Sequence, residues 1–530
     1  MRRFCSYGPV DTDLHYYVPR RELVERTLAQ LVGDDPDKGG HYVTMWAPRQ
    51  RGKTWVMQQV FATLRNEHPQ FETAVLALQH LNTTTDVNHV VRSIAQKLAK
   101  KLSLDVTVDT LNEFDRLFER DVLDKPLILI LDEFDALPEN AISGLAGVFR
   151  NIYVSRQYQT DRPSGEKDYL LHGMASIGVR AVLGVESQAG SPFNVQRNVR
   201  VPNLTFEEVE SMYRWYERES GQAVEQAVID RVFYETRGQP GLVSWLGELL
   251  TETYNHHPTQ PLTMRNFDEV YSAAVDVLPN NNILNIVSKA KQEPYRNVVL
   301  ELFRTDKKTP FAYDDPHLNF LYLNGVIDWE QESLNERYVR FSSPFVQKRL
   351  FNYFARTLLR DVGRLYVPFE DLGDTITEDS LNVENLLRRF GAYLHENQEW
   401  LLKKAPRRAD LRLYEAVYHF SLYTYLSEFL RRYKGQVWPE FPTGNGRIDL
   451  IIRHAGRVYG LEVKSFTNAY EYRESLGQAA EYGQQLGLDE ITLAFFVETI
   501  DEDNRAKYEV VREDQDTGVM VTTVFVATGT

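Results

Sequence analysis

The sequence is poor in the features that would place it outside a reducing, aqueous compartment. Cysteine occurs once in 530 residues, at Cys5. That excludes an internal disulfide framework and a cysteine-rich zinc site, so any metal must be held by oxygen or histidine. No apolar run approaches the ~18 residues of a membrane span. The longest strong one, PLILIL at 126–131, suits a buried strand. The first residues, MRRFCSYGPV, have two arginines but no apolar stretch behind them, unlike a secretory signal. A cytoplasmic protein without membrane contact is expected. Positive charge is also scarce: a formal net charge of -15 excludes a chain that coats nucleic acid over its whole surface. Local contact remains open, and residues 403–434, with eight Lys or Arg against three acids, form either a nucleic-acid patch or a solvated helical face.

The chain does contain enough apolar sequence, 43% hydrophobic against 25% charged residues with no low-complexity tract, to fold throughout. Its length exceeds the ~250–300 residues at which a single core stops growing, so two or three domains are expected. Residues 41–46, HYVTMW, read as a strand, and KTWVMQQVFATLRNEHP from Lys53 reads as a helix. Between them stand Ala47, Pro48, Arg49, Gln50, Arg51, Gly52, Lys53 and Thr54. This is a P-loop pattern with alanine for its first glycine, in the strand-to-helix context the motif needs. Gly52 lets backbone approach phosphate, Lys53 reaches the β and γ phosphates, and the Thr54 hydroxyl ligates Mg²⁺. LILILDEFDAL, 127–137, reads as a central parallel strand ending in Asp132 and Glu133. Asp132 there would hold the Mg²⁺ shell and Glu133 would orient the attacking water. VRAVLGV at 179–185 reads as a further strand, with Glu186 or Ser187 placed to sense the γ-phosphate.

Farther on, a helix, a turn at Asn324-Gly325 and strands at 326–329 and 338–342 predict a winged helix, a module that docks on duplex DNA or serves as a lid or protein contact. His256 and His257 are adjacent, cannot share one helix face and have no third ligand nearby, so they read as loop. From about 411 the order is helix, strand, turn, strand, helix, strand. Period-two alternation puts Glu462 and Lys464 on one side of a strand, able to converge with Asp449 on one metal. Carboxylates suit Mg²⁺ or Mn²⁺, and a lysine beside them can position water and stabilise developing phosphorane charge.

Two resemblances follow. YYVPRREL (16–23), MWAPRQRGKT (45–54), LDEFD (131–135), SPFNV (191–195) and RGQPGLV (237–243) resemble the AAA-like ATPases related to archaeal-type and STAND NTPases, over roughly the first 280 residues. This implies ATP as cofactor, residues 17–19 near the adenine, and residues 238–241 at the start of a lid contact. It leaves Arg197 and Arg200 as either arginine fingers or structural ion-pair partners. The stretch from 440 to 465 followed by GQAAEYGQQL resembles the PD-(D/E)xK nuclease superfamily, especially the branch fused to AAA-like ATPases. That resemblance implies catalytic Asp449, Glu462 and Lys464, with Gln478 and Tyr482 supporting them. It asks for one more acid, for which Glu415 and Glu440 compete. The expected architecture is therefore an α/β multidomain chain: an AAA-like P-loop core over 1–205, a helical lid over 206–281, a winged-helix-like domain over 282–360, a helical connector over 361–410, and a restriction-endonuclease-like α/β domain over 411–530. The expected function is a nucleotide-gated, Mg²⁺- or Mn²⁺-dependent nuclease acting on DNA as a homo-oligomer, with defence or mobile-element biology implied by resemblance alone. A STAND-like switch with an inactive nuclease domain and an unidentified protein partner is the alternative, and a DNA motor a third.

Overall fold

Along β3 (Leu127–Asp132), Leu127, Leu129 and Leu131 alternate with Ile128 and Ile130, and all five are fully buried. A strand apolar on both sides needs cover on both sides. In the computed structural model the leucines join a core with α3 (Val87–Leu102) and α4 (Glu139–Gln157), and the isoleucines a second core with α1 (Arg21–Val32) and α2 (Lys53–Glu67). The structure describes residues 1–178, 196–303, 308–358, 365–366, 370–401, 403, 405–406, 415–440, 448–466 and 469–529. They divide into two compact units, Met1–Tyr271 and Ser272–Thr530.

In the first unit β1 (Tyr42–Trp46), β2 (Glu72–Ala77), β3, β4 (Leu171–Gly178) and β5 (Gln196–Arg200) form one sheet in the order β2-β3-β4-β1-β5. Every pairing in it is parallel. The carboxyl ends of β1 and β3 therefore open on the same edge, where α/β sheets bind ligands. The sequence does not announce β4, because His172, Gly173 and Gly178 interrupt its apolar run. The strand expected at 179–185, with Glu186 and Ser187, lies outside the described residues. A helical segment follows: α5 (Phe206–Ser220), α6 (Gln226–Thr236), α7 (Pro240–Glu248) and α8 (Met264–Asp276), the last ending inside the second unit. Thr205 and Glu208 close a capping box on α5, and Gly221 ends it in the left-handed conformation.

The second unit continues with α9 (Asn281–Ala290), α10 (Tyr295–Glu301), α11 (Pro316–Leu323) and an antiparallel hairpin of β6 (Ile327–Ser333) and β7 (Glu336–Phe341). This is the helix-and-hairpin order of a winged helix. However, α11 contains no Lys or Arg, and the hairpin carries Glu330, Glu332 and Glu336. Next come α12 (Pro344–Leu358), α13 (Val383–Leu401), α14 (Glu415–Arg431), β8 (Gln436–Glu440), β9 (Ile448–His454), β10 (Arg457–Ser465), α15 (Ala469–Gln485), β11 (Glu490–Val497), α16 (Glu502–Tyr508), β12 (Val511–Glu513) and β13 (Met520–Ala527). The sheet runs β12-β13-β11-β10-β9-β8, so β8 and β12 are its edges. Strands β8, β9 and β10 pair antiparallel, whereas β10, β11 and β13 pair parallel, with α15 as the crossover from β10 to β11. Ala455 and Gly456, both at positive φ, turn β9 tightly into β10. One sheet face packs on α15 through Ile491, Leu493 and Phe495. The other meets α13 and α14, where Phe496 contacts Phe390 and Tyr418.

Candidate functional site

The loop after β1 has backbone features that suit a phosphate. Gly52 sits at φ 82, a left-handed turn that favours glycine, and a Cβ added there would meet nothing within 4 Å. No side chain caps the start of α2, so its first N–H groups stay available to an anion. Ala47 is fully buried, and it is Gln50, at φ 56, that joins Gly52 in positive-φ conformation. Alanine at the first motif position therefore imposes no backbone strain. The Lys53 ammonium donates to the carbonyls of Ala47 and Pro48 at 2.7 and 3.0 Å. Burial pushes its pKa down to about 8, against the opposing pull of Asp135 and Asp132.

At the end of β3, Thr54 donates its hydroxyl to Asp132 Oδ2 at 3.3 Å, bringing together the two groups expected around Mg²⁺. Burial raises the Asp132 pKa, opposed by the hydrogen bond from the Glu133 amide. Glu133 is itself left-handed at φ 57, and burial, then the Asp132 charge, raises its pKa. An acid shifted that way is suited to hold and orient a water. Gln79, just past β2, faces Glu133 with its side-chain amide, and with that amide turned so that its nitrogen points at the carboxylate it stands 3.2 and 3.0 Å from the two oxygens. No sequence pattern assigns a role to Gln79 or to Asp135, although each stands just past a strand end on the same sheet edge. Beside the loop, the Trp55 indole donates to the Val18 carbonyl at 2.9 Å, and the Tyr17 ring lies 5.2 Å from Trp55 and 5.5 Å from Trp215 of α5. Residues 17–18 thus stand between the helix that starts at Lys53 and the helical segment. The start of α7 reaches the loop directly, since the Gly241 amide donates to the Gln50 carbonyl at 3.1 Å. Arg197 donates to Gln30 Oε1 at 2.6 Å, a structural partner within its own unit.

In the second unit strand register gathers the predicted residues. Asp449 on β9 is the direct partner of Glu462 on β10 and of Glu440 on β8. Directly opposed residues of antiparallel strands project from the same face, with Cβ atoms about 5 Å apart. The side chains of Asp449 and Glu415 lie outside the described part. Glu462 is 1% exposed, and neither carboxylate oxygen accepts a hydrogen bond. Lys464 Nζ lies 2.9 Å from its Oε1, near enough for an ion pair though not in hydrogen-bond geometry. Lys464 also donates to Gln478 Oε1 at 2.7 Å and to Ser475 Oγ at 3.1 Å on α15. Tyr482 is buried in the core beneath α15. Glu440 is held by Lys348 of α12 at 3.0 Å, a contact the sequence does not suggest. Among the described residues no three His, Cys, Asp or Glu side chains gather as a metal group. Nor is any helix among them long and apolar enough to cross a membrane. Of the basic run, Lys404 and residues 407–414 lie outside the described residues, Arg431 pairs with Glu428, and Arg432 stacks on Tyr366.

A family model described as an AAA-like domain matches residues 5–255. No curated protein matches the chain. Among solved structures, a Walker-type ATPase of Pyrococcus abyssi is 14% identical, with a TM-score of 0.43 over 66% of this chain and 99% of that one. The Aeropyrum pernix Orc1 protein in complex with DNA is 14% identical, with a TM-score of 0.33 over 65% of this chain and 95% of that one. The Thermotoga maritima RuvB Holliday junction branch migration motor is 14% identical, with a TM-score of 0.33 over 60% and 91%. With the family match laid over the parallel sheet, its phosphate loop and the acids at the end of β3, residues 5–255 are an AAA-like P-loop ATPase domain.

Proposed function

We propose that this chain binds and hydrolyses ATP with Mg²⁺ in its first unit and cleaves DNA in its second, with a divalent metal held on the β8-β9-β10 face. In the first site, Lys53 and the amides at the start of α2 would hold the β and γ phosphates, and Thr54 and Asp132 would hold the Mg²⁺ shell. Bound Mg²⁺ would neutralise charge between those phosphates. Glu133 would orient the attacking water, with Gln79 beside it.

The observation that carries the nuclease reading is the register that aligns Glu440, Asp449 and Glu462 across three strands, with Lys464 two residues along. The buried Glu462 carboxylate, lacking any hydrogen-bond donor, fits a metal ligand. A bound Mg²⁺ or Mn²⁺ would supply Lewis acidity toward a phosphodiester. Lys464, fixed by Gln478 and Ser475, would sit beside the attacking water, and Tyr482 would support α15. The order α14-β8-β9-β10-α15-β11 favours the PD-(D/E)xK resemblance over an unrelated mixed sheet. The near-neutral α11 favours a lid or protein-contact role for the winged-helix-like module, which leaves DNA to the sheet domain and the basic run. Nucleotide control, a homo-oligomeric state, an unidentified protein partner and a place in defence against foreign DNA belong to the same reading. The test is purified protein with single-stranded, linear and circular DNA, with Mg²⁺ or Mn²⁺, in ATP and in ADP, with light scattering alongside. Cleavage or assembly that differs between nucleotides supports control. Oligomerisation without cutting under any metal would favour a nucleotide switch instead.

A further inference from the structure

Acids at directly paired positions of neighbouring strands repel one another unless cations stand among them, and Glu440, Asp449 and Glu462 occupy such positions. The structure brings a lysine to each end. Lys464 pairs with Glu462 at 2.9 Å and keeps Gln478 and Ser475 as further acceptors. At the edge strand, the Lys348 ammonium reaches Glu440 at 3.0 Å from a position 92 residues earlier in the chain. Its side chain is only 2% exposed and that of Glu440 14%, so this is an ion pair largely removed from water. Such pairs hold tightly, because separating them strands a charge in a poor solvent.

We infer that Lys348 is an internal competitor for the divalent cation: its ammonium occupies the Glu440 carboxylate that a metal on the rung would use, so α12 sets the metal affinity of the site. The inference rests on the proposed nuclease reading. A dication ligated by Glu440 would stand within a few ångströms of a buried ammonium. Lys348 therefore withdraws when metal binds, and the cost of that withdrawal lowers the affinity.

The test is calorimetric titration of the full chain with Mn²⁺, without nucleotide or DNA. Lys348→Met should tighten Mn²⁺ binding about tenfold, the scale on which one neighbouring like charge acts. Lys348→Arg, which keeps the charge, should stay close to wild type. Unchanged or weaker binding in a folded Lys348→Met protein overturns the inference. Should that variant not fold, the wild type provides a second readout in acetylation of Lys348 followed by mass spectrometry. Mn²⁺ should quicken that labelling by freeing the ammonium, and should not do so in Asp449→Ala. Equal or slower labelling with Mn²⁺ overturns the competitor role. Full Mn²⁺ binding by Asp449→Ala would instead remove the metal-site reading itself, and the inference with it.

Discussion

The two candidate sites keep their charges in opposite ways. In the loop after β1, the one cation that matters, Lys53, rests on neutral carbonyl oxygens and the helix start behind it is uncapped. A polyanion arriving there meets an ammonium whose hydrogen bonds go to neutral carbonyls. On the β8-β9-β10 face the groups that matter are acids, and lysines already neutralise both ends of the rung. A metal arriving there must take carboxylates away from ammonium groups. The first site thus offers backbone groups to a ligand, while in the second Glu440 and Glu462 already stand beside lysines. Affinity at the first should depend on loop geometry, and at the second on what holds the acids.

The largest effect expected from this contrast is at Lys53. Lys53→Ala removes a charged donor that rests on neutral carbonyls, and should weaken ATP binding by roughly 100-fold or more by calorimetry, as expected for lost charge-assisted hydrogen bonds. Unchanged affinity would mean that Lys53 does not hold the phosphates. On the proposed nuclease reading, in which the lysine serves the water and the acids serve the metal, Lys464→Ala should lower metal-dependent cleavage by roughly 10²- to 10⁴-fold while leaving Mn²⁺ bound. Loss of metal binding in that variant would mean that the lysine orders the acids instead.

A smaller effect is expected where α7 meets the phosphate loop. Gly238 has φ 69, and a Cβ there would stand 2.0 Å from the backbone oxygen of Leu204. Gly238→Ala should therefore lower the stability of the first unit by about 3 kcal/mol, read as an earlier first transition on heating, with the second unit's transition unmoved. The smallest effect is a pH dependence. Because burial holds Lys53 at about 8 rather than near its ordinary value, the unfolded chain binds a proton that the folded one releases above that pH. Stability from this group therefore rises with pH from about 8 toward the ordinary lysine value, while ATP affinity falls over the same range. Calorimetry in buffers of different ionisation enthalpy should show a proton taken up with ATP near pH 8.5, and no such uptake in Lys53→Met.

What could be read from the sequence follows the same divide. Residues 47–54 and Asp132–Glu133 are contiguous, each at the end of an apolar strand, so local pattern alone identifies them. Asp449, Glu462 and Lys464 are legible because a tight turn and period-two alternation fix their register within one hairpin. Gln79 and Asp135 are not, since each gains its meaning from a neighbouring strand end in the parallel sheet. Lys348 is less legible still: nothing in FVQKRLF separates it from an ordinary helical lysine until α12 is seen beside the edge strand. The contact between Gly241 and Gln50 is not legible beyond the resemblance's lid near the nucleotide, because helix packing has no sequence period of its own.

The most direct test of the central claim, a metal-dependent nuclease site on the β8-β9-β10 face, is a cleavage assay of Asp449→Ala beside wild type, with DNA and Mn²⁺ or Mg²⁺ and with ATP hydrolysis followed in the same preparations. Cutting by the wild type, none by Asp449→Ala, and equal ATP hydrolysis by both are expected. Equal cutting by the two proteins, or none by either under every metal, would contradict that claim.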